Sequence, residues 1–208
     1  MERLKKIEEI TEPDHRSTGF GMIDVSDGIS RNMTLGDFYK NAERLRVNEG
    51  APEDVRSYME AVKTLFVYGW FYYPFFTLSA FMATTAVEMA LKRRLQTRPD
   101  DPSGLKTLFD KAISQGLLRD ESFPSREHVQ ANRAAIFGEN AKSSEGFSVE
   151  AGPPYAERVA GFMRHFRNVF AHPSGHWILF PGQALNFLVL AGEVINQLWP
   201  SQHEDVKP

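Results

Sequence analysis

The chain has no cysteine. That excludes a disulfide framework and any metal site built on thiolates. No HExxH spacing offers a histidine pair with its own carboxylate, and His165, close to the stretch discussed below, reads as a surface residue. There is no P-loop, no GxGxxG and no GxSxG, and Gly19-Phe20-Gly21 is too short to cradle a phosphate. No metal and no cofactor are therefore expected. Positive charge is not in excess: 24 Lys and Arg face 27 Asp and Glu, a net charge of −3, so contact with a nucleic acid would have to come from local basic patches. Met1-Glu2-Arg3-Leu4-Lys5-Lys6 runs into charge rather than an apolar core, so no signal peptide is expected and a cytoplasmic location is the default. Strand signals are few and no internal repeat is present.

Charge is also missing from one long run. Thr64 to Val87 spans 24 residues without a formal charge, enough by length for a membrane-crossing helix. Gly69, Pro74 and the Tyr72-Tyr73 pair interrupt it, and aromatics with polar tips belong at a membrane interface rather than its centre. The run reads as two helices meeting near Pro74, buried in a bundle or a dimer interface, with no membrane role. Its apolar surface exceeds what a small monomer hides, so a symmetric homodimer is expected.

What is present is helical periodicity. Apolar content of 42% and charged content of 25% fit an ordinary globular protein, long enough to bury one core. Residues 2–10 suit a short charged helix, and residues 11–33 read as loop with a weak alternation from Phe20 to Val25. Thr34 with Asp37 suits the start of a helix to about Arg46. Pro52 with Glu53 and Asp54 opens a helix to about Phe71, and Pro74 opens a longer one to about Gln96. A short helix from Leu105 to Leu117 is closed by Gly116, a further helix is possible across His128 to Phe137, and Ser143 to Pro154 reads as a mobile loop. Pro153-Pro154 introduces an amphipathic helix, Pro181-Gly182 starts an apolar last one, and Pro200 stops it. Three regions result: an N-terminal extension over 1–50, an all-α helical bundle over 51–200 and a polar tail over 201–208.

The chain is organised around Arg167-Asn168-Val169-Phe170-Ala171-His172-Pro173. A guanidinium is a planar fork of donors that fits a phosphate, and a histidine moves a proton near neutral pH. Together they suggest chemistry on a phosphodiester. Five helical steps would set Arg167 and His172 about 140° apart, but Pro173 disfavours helix at His172, so the histidine is where the helix lets go. Arg167 lies at the edge of an apolar stripe of Val159, Phe162, Met163, Phe166, Val169 and Phe170. The plainer reading is a helix C-terminus with a dipole-matched cation and a capping histidine. Glu88 also has two readings: a solvated i, i+4 pair with Lys92, or a carboxylate facing Arg167 and His172. Lys92, Arg93, Arg94 and Arg98 make a basic helix end, either simply solvated or guiding RNA.

This stretch resembles the signature of HEPN domains: an Arg, a polar residue, a few variable positions and a His near the end of a late helix. Arg167, Asn168 and His172 fill those slots. Ala86 to Lys92 resembles the family's early long helix, and Leu105 to Ala112 with Gly116-Leu117-Leu118 resembles the short helix after it, so the likeness covers about residues 51–200. The resemblance implies a HEPN-like bundle that pairs as a homodimer, with both copies of the motif lining one cleft. It implies a metal-independent endoribonuclease acting on RNA, a toxin or phage-defence effector with an antitoxin or defence-system partner. Arg167 would stabilise the phosphoryl charge, His172 would act as general acid or base, Asn168 would orient His172 or the phosphate, and Glu88 would face them. The alternatives are a non-catalytic HEPN module binding a nucleotide or a protein partner, and a purely structural dimerisation domain. Some family toxins carry a modifiable tyrosine two residues after the His; here Ser174 stands there, so that control is not expected.

Overall fold

In a computed structural model, residues 4–23, 28, 30–98, 101–127, 153–172 and 178–201 are described. Helix makes up 65% of it and strand 3%, which places the protein in the all-α class. The helices are α1 (Leu35–Glu43), α2 (Glu53–Tyr68), α3 (Pro74–Arg94), α4 (Leu105–Ser114), α5 (Tyr155–Ala171) and α6 (Pro181–Leu198). A two-stranded antiparallel hairpin, β1 (Gly21–Ile23) and β2 (Ser30–Asn32), precedes them with Gly21 opposite Asn32. The weak alternation after Phe20 thus forms a strand, while among the described residues of the expected first helix only Ile7–Glu9 is helical, as a 3-10 helix.

The centre of the molecule is α3. Helices α2, α4, α5 and α6 all pack on it. Its buried residues Phe76, Ala80, Ala83, Ala86, Val87, Ala90 and Leu91 are spread around it rather than confined to a stripe, as expected for a helix enclosed on most sides. Four alanines let the neighbouring backbones come close, and α6, which packs on α3, buries Ala184, Leu188, Ala191 and Ile195. Among the described residues, α3 is the one helix long and apolar enough to cross a membrane. Here it serves as the core helix, and the uncharged run is divided into α2 and α3 as the sequence suggested.

The corner between α2 and α3 is tight. The Gly69 N–H reaches the Leu65 and Phe66 carbonyls, which ends α2 at Tyr68, short of the expected Phe71. A Cβ on Gly69 would lie 2.5 Å from the Phe76 ring, so only glycine fits. Phe76 is fully buried and packs against Phe38, Phe66 and Tyr73 with ring centroids 5.3–5.5 Å away. Phe38 comes from α1, whose start is fixed by a capping box between Thr34 and Asp37, so the first 50 residues contribute to the same core. Arg31 grips the Asp37 carboxylate at 2.8 Å from both of its terminal nitrogens and, with the Thr34 backbone N–H, holds that carboxyl well below the usual range.

Asp14 ties the N-terminal segment to that corner. It is 6% exposed, and its carboxylate accepts from the Arg16 Nε at 2.9 Å, the Arg16 Nη2 at 2.8 Å and the backbone N–H groups of Arg16 and Tyr73. Burial by itself would raise the Asp14 pKa; the hydrogen bonds from Arg16 and Tyr73 outweigh it and bring the pKa down to about 2. The Arg16 guanidinium lies over the Tyr73 ring, 4.6 Å from its centroid.

Candidate functional site

Helix α5 carries the motif, and three features set its place. Its first turn is capped from a distance: the Asp120 carboxylate accepts from the backbone N–H of Tyr155 at 2.6 Å and of Ala156 at 3.0 Å. Its rotation is fixed by Phe162, Phe166 and Phe170, one turn apart, which close around Phe187 of α6 at 4.6, 5.0 and 6.0 Å between ring centroids. Phe170 also meets Phe81 of α3 edge-on. With that aromatic row turned inward, Arg167 is directed at α3.

There it meets Glu88. The Arg167 Nη2 lies 3.6 Å from one Glu88 oxygen, while the Lys92 Nζ lies 3.0 Å from the other. The i, i+4 pair with Lys92 is therefore present, and the same carboxylate also faces Arg167 across the helix gap. Glu88 is 18% exposed, whereas Arg167 remains 38% exposed, so the guanidinium keeps donors on the open side. That open side is a groove of about 940 Å³ between α3, α2 and the end of α5. Four cations line it, Lys92, Arg93, Arg98 and Arg167, against one carboxylate, Glu88. On a chain of net charge −3 this is a local concentration of positive charge. Arg93 is shared, because its Nε also donates to Asp54 of α2 at 2.9 Å.

No family model matches the chain, and neither a curated protein nor a solved structure matches it significantly.

His172 is the residue after α5, with φ −129° and ψ 67°, so the helix does let go there as the following proline dictates. Its backbone N–H still donates to the Asn168 carbonyl at 2.9 Å. The side chains of Asn168 and His172 are exposed, and the groove wall ends at Ala171 without including His172. Within one chain, then, Arg167 and Glu88 come together and His172 and Asn168 stand off them, in keeping with the angular separation worked out from the helix. His176 and the segment from His128 to Phe137 lie outside the described residues. Among the described residues no group of three or more His, Asp or Glu is placed to hold a metal ion.

The basic end of α3 was visible as a run of charges; its geometry was not. Lys92, Arg93 and Arg98 line the groove with Arg167, and Arg94 does not. Gln96 lines it as well, and no motif marked it. It sits just past the helix with φ +51°, the one described non-glycine residue in the left-handed region. Its N–H bonds to the Arg93 carbonyl and the Thr97 N–H bonds to the Lys92 carbonyl, the paired bonds of a Schellman turn. Helix α4 ends with the same bonds around Gly116, φ +67°, where glycine meets no steric objection. A side chain in that conformation costs roughly 1–2 kcal/mol.

Proposed function

We propose that this chain is a metal-independent endoribonuclease of the HEPN type. The observation that carries the reading is Arg167 held toward Glu88 in a groove with four cations and one carboxylate. Such a groove attracts a phosphodiester backbone, and a guanidinium with exposed donors can grip a phosphoryl group by two oxygens. RNA brings its own nucleophile, the 2′-hydroxyl beside the scissile phosphorus. In the proposed step a base takes the 2′-hydroxyl proton and the 2′-oxygen bonds to phosphorus. The bond from phosphorus to the 5′-oxygen then breaks, and that oxygen receives a proton. The products are a 2′,3′-cyclic phosphate and a 5′-hydroxyl. Arg167, seconded by Lys92, stabilises the charge gathering on the phosphoryl oxygens, a contribution of about 3–4 kcal/mol by analogy with an oxyanion donor. Glu88 keeps both cations aimed. His172 supplies general acid–base catalysis, worth roughly 100- to 10,000-fold.

His172 stands off its own chain's groove, so the proposal includes a homodimer in which two motifs serve one cleft. Exposed Leu78, Ile178 and Phe180 support it: the Leu179 N–H donates to Thr77 Oγ1 at 3.0 Å, so these side chains gather at the start of α3. A toxin or phage-defence role, with an antitoxin or defence-system partner, is proposed on the same resemblance. The position of His172 equally favours a second reading, a non-catalytic module whose groove holds a nucleotide or another polyanion. Labelled RNA incubated in EDTA separates them. Wild type is expected to cut RNA and spare DNA. His172→Ala is expected to bind RNA without cutting it, and Arg167→Lys to fail because a point charge cannot replace the fork. Cutting by His172→Ala at the wild-type rate would refute the mechanism, and wild type that binds RNA without cutting it would leave the binding module.

A further inference from the structure

The groove carries a feature that backbone cleavage does not require. Gln96 holds a conformation that glycine would hold without strain, and the same chain uses glycine for the same turn at the end of α4. Backbone strain of this kind clusters at binding and catalytic sites, and here it stands on the wall of the groove. The Gln96 side chain is a primary amide, exposed and on the groove wall. Lys92 follows Glu88 by one turn on α3, and Gln96 comes four residues later, just past the helix end, so the groove that holds the carboxylate faced by Arg167 also holds this amide. Arg98 stands next to it and Tyr58 lines the same groove, offering a phosphate contact and an aromatic face. An amide presents one acceptor and one donor side by side, and on the Hoogsteen edge adenine alone answers with an amino donor, N6, beside a ring-nitrogen acceptor, N7.

We infer that Gln96 is a base-reading residue that gives the groove a preference for adenine beside the phosphate held at Arg167. This rests on the reading of the groove as an RNA cleft. Gln96 is a specificity residue; it takes no part in bond making.

The test uses the full chain and short labelled uridine-rich RNAs with adenine, cytosine, guanine or uracil placed in turn at each position. Cutting is followed with unmodified RNA, and binding by fluorescence anisotropy with 2′-O-methyl copies that cannot be cut. Wild type is expected to favour one adenine position by about 10-fold or more, and Gln96→Gly to reduce that preference to roughly twofold or less. Gln96→Gly is also expected to raise the thermal midpoint by about 2 °C, because it relieves the turn. Gln96→Glu, which can only accept, is expected to move the preference toward cytosine. Cutting without base preference, or an adenine preference that survives Gln96→Gly, overturns the inference and leaves the ribonuclease reading standing. An adenine preference in binding, lost in Gln96→Gly but unaccompanied by cutting, supports Gln96 and sinks the ribonuclease. Failure to bind any of the RNAs overturns both.

Discussion

Replacing Asp14 by asparagine removes one charge from a buried site and leaves its shape. The carboxylate is 6% exposed and accepts from the Arg16 guanidinium and from two backbone N–H groups. Its pKa falls from the ordinary 3.8 to about 2 in the folded protein, although burial alone would push it up. At 1.36 kcal/mol per pKa unit the interaction is worth about 2 kcal/mol. An asparagine could still accept from the Tyr73 N–H, but its amide would turn donors toward the donors of Arg16. Urea unfolding followed by tryptophan fluorescence suits the question, since the Asp14 N–H bonds to the Trp70 carbonyl. At pH 7, Asp14→Asn is expected to unfold with about 2 kcal/mol less free energy. Because the folded pKa lies below the unfolded one, the stabilisation is complete above the unfolded value and is lost as pH falls through the folded value. The gap between the two proteins should therefore be constant from about pH 5 to 8, and roughly half of it should be gone at pH 3. A loss below about 0.5 kcal/mol at pH 7, or a gap that does not narrow on acidification, would refute the assignment.

Three further outcomes follow from the packing and the charges. Gly69→Ala would put a methyl group 2.5–2.7 Å from a Phe76 ring enclosed by other aromatics; it is expected to cost about 1–3 kcal/mol, seen as a thermal midpoint lower by several degrees. Asp120→Ala leaves two N–H groups at the start of α5 without their carboxylate and should lower unfolding free energy by about 1 kcal/mol in a urea titration. RNA binding should weaken with salt at a slope of about −2 to −3 in log K against log salt if three or four groove cations meet phosphates, and Lys92→Ala should flatten it by about 0.7; a slope near zero would mean that the groove does not hold the backbone.

Much of the fold is written in local devices. Thr34 with Asp37, Pro74, Pro181 and Gly116 each act within a turn of the chain, and each element boundary they mark lies within a few residues of its expected place. What could not be read depends on partners far along the sequence. Asp120 caps a helix that begins at Tyr155, and Asn48 donates hydrogen bonds to Asn196 and to the Trp199 carbonyl. Neither asparagine nor aspartate advertises such a target. At the site, the meeting of Arg167 with Glu88 was one of two readings open to the sequence, because a carboxylate four residues before a lysine has an adequate partner already. Gln96 could not be found from periodicity at all: a left-handed turn is expected at glycine or asparagine, and nothing in the surrounding residues announces an exception.

The two halves of the groove stand on foundations of unequal firmness. Glu88 and Lys92 belong to α3, whose alanines are wedged among four other helices; Arg167 belongs to α5, whose aromatic row is only half buried and whose end is open at His172. Mutational drift therefore does not reach the two halves equally. Most changes along α3 would be eliminated as misfolded chains before any effect on the groove could be selected, whereas α5 can accumulate substitutions on its outer face and past its last turn. A variant library confined to the exposed positions of residues 158–172 would sample new chemistries on an unchanged scaffold. A library placed on the buried positions of α3 would mainly return unfolded protein.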